Sequence, residues 1–212
     1  MFILLVFSFI SRRNFISSSI LATSLSSDSL INNVPQYVYD GPEIYLYDDV
    51  TAETMLQLKY MIQTKTREIQ SEYKNIEKQP FINLHIQSYG GSAISALYMY
   101  DWIKKNNIKL RTYIDGISTS AASILSVSGE NRVMTTNSLM LIHQPSIILT
   151  DKVKYKDLKD DTYNLELILS SMINIYKENS NMSETQIKDL ILNEEYLSSK
   201  MCLKYGLVDG IV

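Results

Sequence analysis

The stretch that decides the fold is FINLHIQSYGGSAISALYMYDWI, Phe81 to Ile103. In a strand side chains alternate between faces, so Ile82, Leu84 and Ile86 share one side of FINLHI. Gly90-Gly91 ends that strand. Ser92 then opens a helix carrying Ile94, Leu97, Tyr98 and Trp102. A strand, a glycine turn and a helix make one unit of an α/β fold.

The same grammar repeats outward. Glu43 to Tyr47 (EIYLY) is short, aromatic and β-branched, as a strand requires. A helix is expected from Thr51 to Tyr73, with Met55, Leu58, Met61 and Ile62 forming one buried stripe. Downstream, Leu110 to Ile114 reads as a strand, punctuated by Gly116. Ser120 to Ser128 reads as a short buried helix stopped by Gly129. Val133–Thr136 and Leu139–His143 are two more strands. Helices follow over Tyr155–Glu178 and Glu184–Leu192, with a short one from Ser198. The expected architecture is α/β with right-handed crossovers and a mostly parallel sheet.

Length and composition agree with this. The chain has 212 residues, 45% hydrophobic and 20% charged, enough for one sizeable core. A net charge of −3 gives no broad attraction for phosphates, so nucleic acid is not an expected partner. The single cysteine, Cys202, cannot close an internal disulfide and sits among Met201 and Leu203, as a small buried apolar residue would. Residues 1–34 read as a leader. An apolar run, MFILLVFSFI, is too short to span a bilayer and gives no stable membrane anchor. It precedes a serine-rich stretch with Arg12 and Arg13 and no acid before Asp28, the composition of a transit peptide. An organelle, mitochondrial matrix or plastid stroma, is the expected compartment, or the cytoplasm if the leader is untargeted. One domain is expected over residues 35–212.

Chemistry is expected at the glycine-marked turns, because open parallel sheets present reactive groups where strands end. Gly90 and Gly91 leave backbone N–H groups free to approach a ligand closely. Ser120, near a helix start, is a candidate nucleophile, although such a serine is more often a cap. The chain offers two histidines as base. His143 ends the strand SLMLIH at the sheet rim, and His85 lies within FINLHI.

QSYGGSAISALYMYDWI, DGISTSAASILSVSG, NSLMLIHQP and EEYLSSKMCLKYGLVDGIV, in that order, resemble the proteolytic subunit of the Clp protease. The resemblance runs from about Glu43 to Val212. IHQP and YGLVD are its specific parts. It implies the Clp protease/crotonase fold of repeated β-β-α units, with the Tyr155–Glu178 helix as a protruding handle between stacked rings. It implies a serine endopeptidase with Ser120 as nucleophile, counted four residues after Gly116, and His143 as general base. Gly90 and the N–H of Ala121 would form the oxyanion hole, with Gly91 binding substrate.

The acid position falls on Glu194, where the family has aspartate. Glu195 and Asp189 are fallbacks. Tyr89 also departs, replacing a proline, and the Gly129–Arg132 loop is shorter than usual. The resemblance further implies heptameric rings of this or paralogous chains, paired into a tetradecamer, degrading unfolded proteins. An AAA+ unfoldase would use the ATP, since this chain has no phosphate-binding G-x-x-x-x-G-K-[ST] motif. No metal or organic cofactor is expected. The competing readings are a catalytically inactive ring subunit and a crotonase-type enzyme acting on acyl-CoA thioesters.

Overall fold

The computed structural model describes residues 41–74, 79–147 and 152–212. The leader assigned to residues 1–34 lies outside them. The chain order is β1 (Glu43–Leu46), α1 (Ala52–Glu72), β2 (Ile82–Ser88), α2 (Ala93–Lys105), β3 (Leu110–Thr119), α3 (Ala121–Ser126), β4 (Asn131–Met134) and β5 (Leu139–Leu141). It continues with α4 (Tyr155–Glu178), α5 (Glu184–Asn193), β6 (Tyr196–Ser198), α6 (Ser199–Tyr205) and β7 (Gly210–Ile211). The sheet has the order β1-β2-β3-β4-β7, all parallel, with β5 parallel to β3 and β6 antiparallel to β5. This is the α/β, mostly parallel architecture expected.

Three strand assignments needed revision, the simplest being the addition of the short β7. Gly116 does not end β3, which continues to Thr119. Instead β3 changes partner there, pairing Arg111–Ile114 with β4 and Ile117–Thr119 with β5. Tyr196–Ser198, expected only as a lead into a helix, forms β6. Three residues carry too little periodicity to announce a strand; pairing with β5 creates it.

The helices follow their sequence signals. Thr51 caps α1 in a reciprocal capping box with Thr54, and Met55, Leu58, Ile62 and Ile69 form its buried stripe. Ser92 caps α2 through Ser95 N–H. In α4 the buried residues are confined to the end, Met172, Ile173, Ile175 and Tyr176, while Tyr155, Leu158, Tyr163 and Leu167 are exposed. The helix therefore extends from the body with exposed apolar side chains among charged ones on its outer half, as a handle would.

His85 has a structural role. Register places Tyr45, His85 and Tyr113 side by side on β1, β2 and β3, and the imidazole stacks between the two phenol rings at 4.8 and 4.7 Å. Its Nδ1 lies 2.7 Å from Asp115 and its Nε2 2.6 Å from Glu43, so the ring ties β1 to β3 across β2. Tyr47 donates to the same Asp115 carboxylate. Burial opposes charge on the ring, but Asp115 and then Glu43 together outweigh it and hold the His85 pKa above the ordinary imidazole range.

The folded value thus exceeds the unfolded one. Stability from the cluster is complete below the ordinary imidazole pKa of about 6.5 and is lost as pH rises through the folded value. The melting-temperature advantage of the parent over His85→Phe should therefore shrink from pH 6 toward pH 9. A difference that stays constant across that range would mean that His85 is neutral throughout.

Candidate active site

The register of three strands assembles the site. Thr119 pairs with Leu141 in the parallel β3–β5 ladder, and the next residue, Ser120, donates its N–H to Leu141 C=O at 2.9 Å. On the other edge of β5, Leu141 pairs with Tyr196 in antiparallel sense. Counting two residues out from that pair in opposite directions brings His143 opposite Glu194. Ser120, His143 and Glu194, far apart in sequence, are thus brought to the rim where the parallel strands end, with no hydrogen bond between Ser120 Oγ and His143 among the described residues.

The distances grade these contacts. Glu194 Oε1 lies 3.8 Å from His143 Nδ1, ion-pair range but longer than a hydrogen bond. The same oxygen accepts from Gln144 Nε2 at 3.3 Å. Neither side chain is deeply buried, at 28% exposure for His143 and 44% for Glu194. Among the described residues no other carboxylate comes within 4.0 Å of a His143 nitrogen, so Glu195 and Asp189 are not brought to it. Glu194 itself caps α5 at φ 52°, a left-handed conformation that turns the chain sharply into β6.

Ser120 is the turn that Gly116 was expected to make. It adopts φ 58° and ψ −126°, and its side chain forms no capping hydrogen bond. A residue with a Cβ held at positive φ costs about 1–3 kcal/mol, so surrounding contacts must impose it. Such strain is typical where a sharp strand-to-helix turn projects a reactive side chain. Ser118 and Ser123, its rivals in the STSAAS stretch, are buried and hydrogen-bonded, to Ser126 Oγ and to the Ser120 carbonyl respectively.

The glycine pair divides its tasks differently from expectation. Gly90 N–H donates to Ser88 Oγ at 3.1 Å and Gly90 C=O accepts from Val50 N–H at 2.7 Å, so its polar groups are engaged. It is Gly91 that lines the cavity, together with Ala121. Gly90 instead permits close approach: at φ 96°, an added Cβ would stand 2.5 Å from Thr119 O and 2.7 Å from Ser120 Cβ. Ala121 is the first residue of α3, where the helix leaves an N–H without an intrahelical acceptor.

The cavity holds about 220 Å³. Ser120, Ala121 and His143 form one wall, Gly91 to Ile94 at the start of α2 another, and Gln144 to Ile147 a third. Leu165, Ile168 and Met172 of α4 close it with apolar side chains. Those α4 residues are the functional contribution that sequence reading missed. A helical apolar stripe looks the same whether it packs on a core or lines a cleft. Cys202 is fully buried and burial pushes its thiol up to about 12, which leaves it unreactive.

Comparison with known proteins identifies the family. The family model described as Clp protease matches residues 43–212. The chain is 29% identical over 136 residues to ATP-dependent Clp protease proteolytic subunit 1 of Chlamydia trachomatis, 63% of this chain and 70% of that protein. It is 30% identical over 128 residues to the proteolytic subunit of Oenothera elata subsp. hookeri, 59% of this chain and 51% of that one. With that of Bigelowiella natans it shares 27% over 137 residues, 64% and 69% of the two chains. The family model spans every described element from β1 to β7, and this chain belongs to the Clp protease family.

Proposed function

We propose that this chain is an ATP-dependent Clp protease proteolytic subunit, a serine endopeptidase that cuts unfolded polypeptides to short peptides. The observation that supports the reading is the β3–β5–β6 register, which sets Ser120 and His143 on one cavity wall with Glu194 Oε1 3.8 Å from His143 Nδ1.

In this reading His143 accepts the Ser120 hydroxyl proton as Oγ attacks the scissile carbonyl. The tetrahedral oxyanion is held by the N–H groups of Ala121 and the glycine pair. Gly90 N–H, the expected donor, lies 3.1 Å from Ser88 Oγ and exchanges that bond for the oxyanion, while Gly91 lines the cavity. His143 then gives its proton to the leaving amine, the C–N bond breaks, and an acyl-enzyme on Ser120 remains. Water, deprotonated by His143, attacks the ester; its oxygen goes to the released acid and the proton returns to Ser120. Glu194 orients the imidazole and balances its charge. These steps use only the chain's own groups, so no metal or organic cofactor is assigned. ATP is used by the partner AAA+ unfoldase.

The exposed apolar residues on the outer half of α4, Tyr155, Leu158, Tyr163 and Leu167, support self-association into stacked heptameric rings. Whether those rings hold one chain or paralogues, the active sites face the enclosed chamber. An organelle is the proposed compartment, on the composition of residues 1–34.

The test is fluorophosphonate labelling with intact-mass analysis. The parent should gain one adduct per chain, mapped to Ser120, and Ser120→Ala should gain none. A parent that assembles into rings yet stays unlabelled would instead be an inactive ring subunit. Turnover of acyl-CoA thioesters without labelling would indicate the crotonase-type alternative.

A further inference from the structure

Two buried hydroxyl groups that the reaction above does not use are hydrogen-bonded to each other. Ser123 on α3 and Tyr176 on α4 are both fully buried. Buried hydroxyls destabilise a core unless they are hydrogen-bonded, and packing alone would be served as well by alanine and phenylalanine.

Their bonds lead to Ser120. Ser123 Oγ–H donates to the Ser120 carbonyl at 2.6 Å, and Ser123 N–H donates to the same oxygen at 2.9 Å. A serine hydroxyl has one hydrogen. With that hydrogen committed, the 2.7 Å contact between Ser123 Oγ and Tyr176 Oη is donated by the phenol. Burial pushes the Tyr176 pKa upward, which keeps the phenol protonated and a donor. Across the residue, Ser120 N–H is tied to Leu141 C=O. Both peptide units flanking Ser120 are therefore held, which a residue at φ 58° and ψ −126° requires. Met172, one turn before Tyr176, lines the cavity, so the helix that walls the cleft also reaches the turn bearing the serine.

We propose that Tyr176 and Ser123 are positioning residues: a two-bond relay from α4 pins the Ser120 carbonyl and so aims its hydroxyl. The proposal rests on Ser120 being the nucleophile.

The full-length chain is compared with Tyr176→Phe, Ser123→Ala and the double variant. Short-peptide turnover, the rate of fluorophosphonate labelling and the melting temperature are measured for each. Tyr176→Phe should lower kcat and the labelling rate about tenfold, with KM unchanged within about twofold, because misaiming the nucleophile affects the chemical step. Ser123→Ala should lose at least as much. The double variant should be no worse than Ser123→Ala, since the tyrosine acts through the serine. Variants that lose thermal stability but label at the parent rate would overturn the relay and leave only a packing role. Additive losses would overturn it as well. A parent unlabelled at Ser120 would overturn the nucleophile assignment and the relay together. A parent labelled there, with Tyr176→Phe and Ser123→Ala equally fast, would overturn the relay alone.

Discussion

Ser120→Ala and His143→Ala should each lower peptide hydrolysis by about 10⁵-fold or more, and the double variant should lose no more than either alone. In the proposed mechanism nucleophile and base act as one unit. Without His143 the Ser120 hydroxyl keeps its proton and is a poor nucleophile; without Ser120 the base has no proton to take. What survives is the smaller acceleration from backbone donors and substrate binding. Sedimentation should show the same assembly for parent and variants. Losses that multiply in the double variant would mean that the two side chains serve separate steps.

Glu194 belongs to the same experiment with a smaller expected effect. Its carboxylate is 44% exposed and 3.8 Å from His143 Nδ1, so water screens it and no short hydrogen bond locks the ring. Glu194→Gln should cost about 10–100-fold in kcat, against about 10⁴-fold for a buried aspartate in such a triad. A Glu194→Gln loss equal to that of His143→Ala would mean that the carboxylate closes on the imidazole in the working enzyme.

Gly90→Ala should damage folding and catalysis together. The added methyl would stand 2.5 Å from Thr119 O and 2.7 Å from Ser120 Cβ, neither of which is the free end of a flexible side chain. Thr119 and Ser120 are fixed by the β3–β5 ladder and by the Ser120–Leu141 hydrogen bond, so the clash cannot be relieved locally. The backbone at φ 96° adds strain for any residue with a Cβ. Together these should cost about 2–4 kcal/mol of stability. For a domain of this size that is a fall of about 5–10 °C in melting temperature. Catalysis should fall by about 10²-fold or more, because the serine is pushed from its attacking position. Hydrolysis and melting at parent values would show that β2 can move away from β3 here, contrary to the packing described.

The elements with long periodic patterns were legible before any coordinates. The Thr51 cap and the Met55–Leu58–Ile62 stripe announce α1, and the alternation of Ile82, Leu84 and Ile86 announces β2. Both signals are local, written in residues a few positions apart. Ser120, His143 and Glu194 were named as candidates only through resemblance.

What only the tertiary structure decided depends on partners distant in the chain. Residues 110–119 continue as one strand past Gly116, with a register shift against β2 there, because β4 and β5 supply successive partners along the other edge. Tyr196–Ser198 is a strand because β5 lies beside it. His85 is a cross-strand tie because Glu43 and Asp115 flank it on β1 and β3. Gly90 is a spacer, with Gly91 facing the cavity, because Ser88 and Val50 occupy the polar groups of Gly90. The Ser123–Tyr176 bond joins residues 53 positions apart. Hydrogen bonds and packing of this kind leave no periodicity in the sequence, since each is set by register and proximity that exist only once the sheet has formed.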